Sequence, residues 1–126
     1  RVGDDVTIVT YGSGLYRSLE AADRLAAEGV SVEIVDLRTL RPLDSTTFLD
    51  SVARTHRAVV VEEGWRTGGI GAEVAAQISE EVFWDLDAPG GRVATAEVPI
   101  PYAPHLEAAA LPSAERVAEA VRATLG

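Results

Sequence analysis

The chain contains no cysteine, and its eleven cationic side chains are all arginine, with no lysine among 126 residues. The missing cysteine excludes disulfides, a thiolate nucleophile and sulfur ligands for zinc, and it fits a reducing compartment. Long apolar runs are missing too: nothing approaches the ~20 residues that span a bilayer. The opening residues RVGDD carry no apolar stretch of the signal-peptide kind. Positive charge is scarce, with a formal net charge of −9. That balance argues against nucleic acid or an anionic membrane as partner. It favours a basic partner if there is one, and serves solubility if there is none.

What is present is regular punctuation. The apolar, β-branched segments Val6–Tyr11, Val30–Leu37, Ala58–Glu62 and Arg92–Val98 read as four strands without clean polar alternation, as in a sheet covered on both faces. Between them, Leu15, Leu19, Ala22 and Leu25 recur at helical spacing, with Gly29 placed to end that helix. Phe48, Leu49, Val52 and Ala53 form a second stripe, N-capped by Asp44 or Ser45. Ile70, Val74, Ala75, Ile78 and Val82 form a third. A last helix, capped by Ser113, turns Val117, Ala120, Val121 and Leu125 inward. The alternation predicts a single three-layer α/β/α domain over residues 1–126, with a mainly parallel, doubly wound sheet of four to five strands. Arg1–Asp5 reads as a cut, and the chain as a fragment of a longer protein.

The chemistry-bearing residues are few. Gly12-Ser13-Gly14 joins the first strand to the first helix. Free N–H groups there would attract an anion, but the motif is neither GxGxxG nor a lysine-bearing P-loop, and a tight turn with Ser13 as N-cap is preferred. Glu62 and Glu63 are adjacent on a strand and point to opposite faces, so an ion pair with an arginine is preferred over acid–base work. His56 and His105 lack partners at metal-ligand spacing. His56 falls near a helix C-terminus, where a cation suits the dipole; His105 is placed to face a partner. There is no GxSxG elbow, and no lysine to complete a receiver-type acidic site. Asp85 and Asp87 precede Pro89 in a solvated turn or meet a cation of a partner. Three prolines in Val98–Pro104 make a stiff segment, either a preformed contact surface or a rigid route to the last helix.

Taken together, DVTIVTYGSG (Asp5–Gly14) and DLRTLRPLD (Asp36–Asp44) resemble patterns of the transketolase-like thiamine diphosphate enzymes. VVVEEGWRTGGIGAEVA (Val59–Ala75), LDAPGGRV (Leu86–Val93) and EVPIPYAPHLE (Glu97–Glu107) are similar to the C-terminal domain of the β subunit of 2-oxo acid dehydrogenase E1 components, closest to the pyruvate dehydrogenase type. The resemblance covers nearly the whole chain.

It implies a sheet with an added antiparallel edge strand upstream of Asp5, largely missing here and leaving one edge bare. It implies thiamine diphosphate and magnesium in the parent enzyme and none bound by this segment, which would hold no catalytic, cofactor-binding or metal-binding residue. The parent would decarboxylate a 2-oxo acid and pass the acyl group to lipoyl-E2. This segment would serve assembly with the E1 α subunit and a second β subunit, and docking of the E2 peripheral subunit-binding domain. Asp87 resembles a contact to that basic domain, with the chain end, Leu125 and Gly126, near the same contact. Gly126 stands where relatives often carry a larger apolar residue. The location implied is the bacterial cytoplasm, or the mitochondrial matrix in a eukaryote. The alternatives are the equivalent domain of a transketolase or deoxyxylulose-phosphate synthase, and a stand-alone doubly wound protein-binding module.

Overall fold

A computed structural model describes all residues, 1–126. Strand β1 (Val6–Thr10) is followed by α1 (Gly14–Ala27), β2 (Val32–Asp36), α2 (Ser45–Thr55), β3 (Ala58–Trp65), α3 (Ile70–Glu81), a 3-10 turn (Phe83–Asp85), β4 (Gly91–Thr95), α4 (Pro104–Ala110) and α5 (Ala114–Leu125). The four strands form one parallel sheet in the order β2-β1-β3-β4. The chain winds from β1 outward to β2, then returns across β1 to β3 and β4. The switch point therefore lies between β1 and β3.

Period-two alternation divides the core. Val6 and Ile8 of β1, with Val59 and Val61 of β3, meet Leu25 of α1 and Val117 and Val121 of α5. Val9 and Val60 point the other way, into a layer with Phe48 and Val52 of α2 and Val74 and Ile78 of α3. A strand buried on both faces needs no polar alternation, which is why these segments read as continuous apolar runs. No helix is long and apolar enough to cross a membrane.

The second layer has a polar seam. The Thr7 hydroxyl lies 2.7 Å from those of both Ser51 and Thr55 of α2. Ser51 Oγ donates to Glu33 at 3.0 Å, and Glu33 also pairs with Arg54 at 2.6 Å and accepts the Gly3 N–H at 3.0 Å. Burial alone would raise the Glu33 carboxyl. The Arg54 guanidinium, the Gly3 N–H and the Ser51 hydroxyl outweigh it and hold the group below its ordinary value.

Several local expectations are corrected. Ser13 occupies the N-cap position of α1 but adopts helical backbone angles, and its side chain makes no capping bond. Asp44 and Ser113 do cap α2 and α5, accepting the N–H groups of Thr47 and Arg116 at 3.2 Å each. Strand β3 continues past Glu62 to Trp65, pairing with Thr95 beyond an irregularity after Val61. Strand β4 ends at Thr95, not Val98, because the Ala96 N–H turns away to the Ala110 carbonyl at 2.9 Å. The proline-rich stretch leads into α4, with Pro104 in its first turn, where a missing N–H costs nothing.

The outer edge of β2 is not bare at its centre. Arg1 and Ile34 exchange backbone hydrogen bonds in both directions, at 3.3 and 2.9 Å, the pattern of an antiparallel pair. Gly3 packs so closely on the Val32 backbone that a side chain there would collide with it. At the opposite edge, Arg116 of α5 donates to the Ala94 carbonyl of β4 at 3.0 Å.

Candidate functional site

Ligands of doubly wound sheets settle at the carboxyl ends of the strands, beside the switch point. Here that place is filled from within. Glu62 is 1% exposed and turns its carboxylate to the start of α3, accepting the Gly71 N–H at 2.8 Å. It pairs with Arg92 of β4 at 3.0 Å, and Arg92 also donates to the Arg66 carbonyl at 2.7 Å. A side-chain carbon on Gly69 or Gly71 would collide with this carboxylate. The dense glycines of Gly68–Gly71 thus let the chain's own anion reach a helix N-terminus, where the dipole and free N–H groups favour negative charge. Glu63 is exposed. Of the two adjacent glutamates, Glu62 is the one that makes the expected ion pair, and its partner is Arg92.

Tyr11 sits beside this lock. Burial, then the charge of Glu62 and a hydrogen bond to it, then the charge of Glu63, push its phenol above the ordinary value, so it stays neutral. At the start of α1, the Leu15 and Tyr16 N–H groups are turned back onto the Gly12 and Ser13 carbonyls at 3.3 and 3.1 Å. Of the two glycine-rich helix starts, one receives the Glu62 carboxylate, and the other has the Leu15 and Tyr16 donors engaged by its own turn. No cluster of three or more His, Asp or Glu side chains is placed to hold a metal ion.

The amino ends of the strands carry a different surface. His56 ends α2 in a left-handed conformation (φ 59°), and its carbonyl accepts the Asp87 N–H at 2.9 Å. Its ring Nδ1 lies 2.7 Å from the Asp85 carbonyl; a carbonyl only accepts, so Nδ1 carries a proton. His56 therefore clasps the Phe83–Asp87 turn to α2. Arg57 reaches Asp87 Oδ2 at 3.1 Å and donates from Nε to the Thr124 carbonyl near the end of α5 at 3.0 Å. Asp87 and the chain end thus share one end of the domain. The Asp87 side chain remains 53% exposed, and Gly126 is exposed. Leu125 instead packs against the α1–α5 core layer. His105 lies on α4 and is exposed.

Arg57, Thr124 and the His56–Asp85 link carry no local sequence signal, because they join residues 29 and 67 positions apart. Trp84 was equally unmarked, since an aromatic in a turn reads as packing until its exposure is known. It is 93% exposed and stacks edge-on against Phe83, with ring centres 5.1 Å apart. Beside it runs an open cleft of about 500 Å³ lined by Leu86, Asp87 and Pro89 among others.

Comparison with known proteins agrees with this architecture. Residues 1–117 match the family described as "Transketolase, C-terminal domain". The chain is 54% identical, over 99% of its length, to the Caenorhabditis elegans mitochondrial pyruvate dehydrogenase E1 component subunit beta, covering 36% of that protein. It is 45% identical to the subunit of the same name from Rhizobium meliloti, covering 98% of this chain and 27% of that one. The chain of a structure titled "Split gene transketolase, inactive beta4 tetramer" superposes with a TM-score of 0.87 at 34% identity, covering 99% of this chain and 40% of that one. The chain spans about a third of the length of the curated relatives it matches. Sequence match and three-dimensional likeness coincide over the same parallel sheet and flanking helices, and the chain belongs to the transketolase C-terminal domain family.

Proposed function

We propose that this domain is the C-terminal part of the β subunit of a thiamine diphosphate-dependent pyruvate dehydrogenase E1 component, and that it serves assembly and docking. In the parent, thiamine diphosphate with magnesium supplies the carbanion chemistry that decarboxylates pyruvate. Those groups would be held by residues outside this segment. The parent's other partners would be the α subunit, a second β subunit and the basic peripheral subunit-binding domain of E2. Its location would be that of the complex, the bacterial cytoplasm or the mitochondrial matrix.

The observation that carries this reading is the division between the two ends of the sheet. At the end where α/β enzymes hold ligands, the Glu62 carboxylate occupies the start of α3. The other end presents Asp87 half-exposed, its backbone held by His56 and one carboxylate oxygen by Arg57. A preorganised carboxylate on an acidic domain suits a cationic partner, because little side-chain order is lost on binding. Identity of 45–54% to E1 β subunits supports this parent over a transketolase.

The test uses the full-length β subunit assembled with α. Asp87→Ala should weaken binding of the E2 subunit-binding domain by ~1–3 kcal/mol, read by calorimetry, while pyruvate decarboxylation measured without E2 stays at the wild-type rate. Unchanged affinity would remove Asp87 from the contact. Lost decarboxylation would contradict the separation of docking from chemistry.

A further inference from the structure

Resting on that docking reading, we propose that Trp84 is the specificity-determining aromatic platform of the contact: its indole receives an arginine or lysine of the basic partner, whose charged head is then shared with Asp87. A tryptophan at 93% exposure is a large apolar surface left in water. It is not loosely hung there, because Phe83 meets it edge-on at 5.1 Å. The cleft beside it is open and large enough, at about 500 Å³, to take a long side chain. Its apolar parts, Phe83, Trp84, Leu86 and Pro89, suit an aliphatic stem.

The electrostatics select the head group. From Ser79 to Gly90 the chain carries Glu80, Glu81, Asp85 and Asp87 and no cation, and all four carboxylates are exposed. The one arginine that reaches the cleft's edge, Arg57, engages a single oxygen of Asp87, Oδ2; no group of the chain donates to the other. Trp84 and Asp87 line the same cleft, so a cationic side chain seated in it is offered both the indole and an unshared carboxylate oxygen. An indole face attracts a cation more strongly than other aromatic rings do, and tryptophan and arginine are the residue types that most often dominate interface energies. An anionic or purely apolar partner would strand these carboxylates, so the surface fits a basic protein segment and not a lipid or a nucleic acid.

The experiment titrates the cognate E2 subunit-binding domain into assembled, full-length E1 carrying Trp84→Leu, Trp84→Phe or Asp87→Ala. Trp84 is almost wholly in solvent, so melting temperatures should match the wild type. Trp84→Leu should weaken binding ~3–30-fold, the span of a cation–π contact; Trp84→Phe should recover most of it. Weakening by Asp87→Ala alone, with Trp84→Leu at wild-type affinity, overturns the platform and leaves the docking reading standing. Weakening by Trp84→Leu alone keeps the platform and removes Asp87. Wild-type affinity in both variants overturns both. If Trp84→Leu instead abolishes a concentration-dependent self-association of E1, the cleft belongs to a second copy and the platform is overturned.

Discussion

Arg57 joins Asp87 to the end of α5: its guanidinium meets Asp87 Oδ2 at 3.1 Å while its Nε donates to the Thr124 carbonyl at 3.0 Å. The side chain is 26% exposed, so the link is only partly screened by water. It fixes two segments that the sequence separates widely, the loop before β4 and the last helical turn.

Replacing Arg57 by leucine should therefore loosen both. It leaves the Thr124 carbonyl without this donor and Asp87 without its counter-ion. A loss of roughly 1–2 kcal/mol is expected in urea denaturation. Hydrogen exchange should rise at Asp87 and in the final turn of α5 but not in β1. Uniform change across the chain would show that the link is not local.

The glycines at the start of α3 predict an ordered series. A methyl on Gly71 collides with the Glu62 carboxylate, whereas one on Gly64 comes no nearer than 3.4 Å to it. Gly71→Ala should destabilise by ~1–3 kcal/mol, the usual cost of overpacking, and Gly64→Ala by less. In a double-mutant cycle with Glu62→Ala, the two losses should fall short of additive, because the collision disappears with the carboxylate. Additive losses would separate Gly71 from Glu62.

Glu33 predicts an acid limit. Its folded-state value is lowered from the ordinary 4.5, so its contribution is complete above that value and is lost as pH falls through the lower, folded one. Wild type should melt above Glu33→Gln by roughly 3–6 °C at neutral pH, about 1 kcal/mol for a chain of this size. The gap should close only below pH ~4. A gap that persists at pH 2 would assign the difference to packing rather than charge.

How much was legible in the sequence depended on range. Helix stripes such as Leu15–Leu25, the ends marked by Gly29 and Asp44, and the cap at Ser113 are set by neighbours a few residues apart, and each stands where the pattern put it. Helix α4 escaped because three prolines masked the one proline, Pro104, that a helix accepts at its start. Ser13 misled because a capping residue type does not guarantee capping angles. The partner of Glu62 was foreseeable only as some arginine. That it is Arg92, and that the glycines exist to admit the carboxylate, follows from strand pairing between β3 and β4, which no local window contains. Asp87 was reached through family likeness; its link to the chain end through Arg57 joins residues 67 positions apart and left no local mark.

The hydroxyl seam between Thr7, Ser51 and Thr55 has a mechanical consequence. Sliding α2 by one turn along β1 would part the Thr7 hydroxyl from both Ser51 and Thr55 and leave it in an apolar layer, at a desolvation penalty of about 1–3 kcal/mol. Helix and strand are thus keyed together and travel as one rigid block. Any change of shape in a larger assembly must then be taken up elsewhere than by shear of α2 against β1.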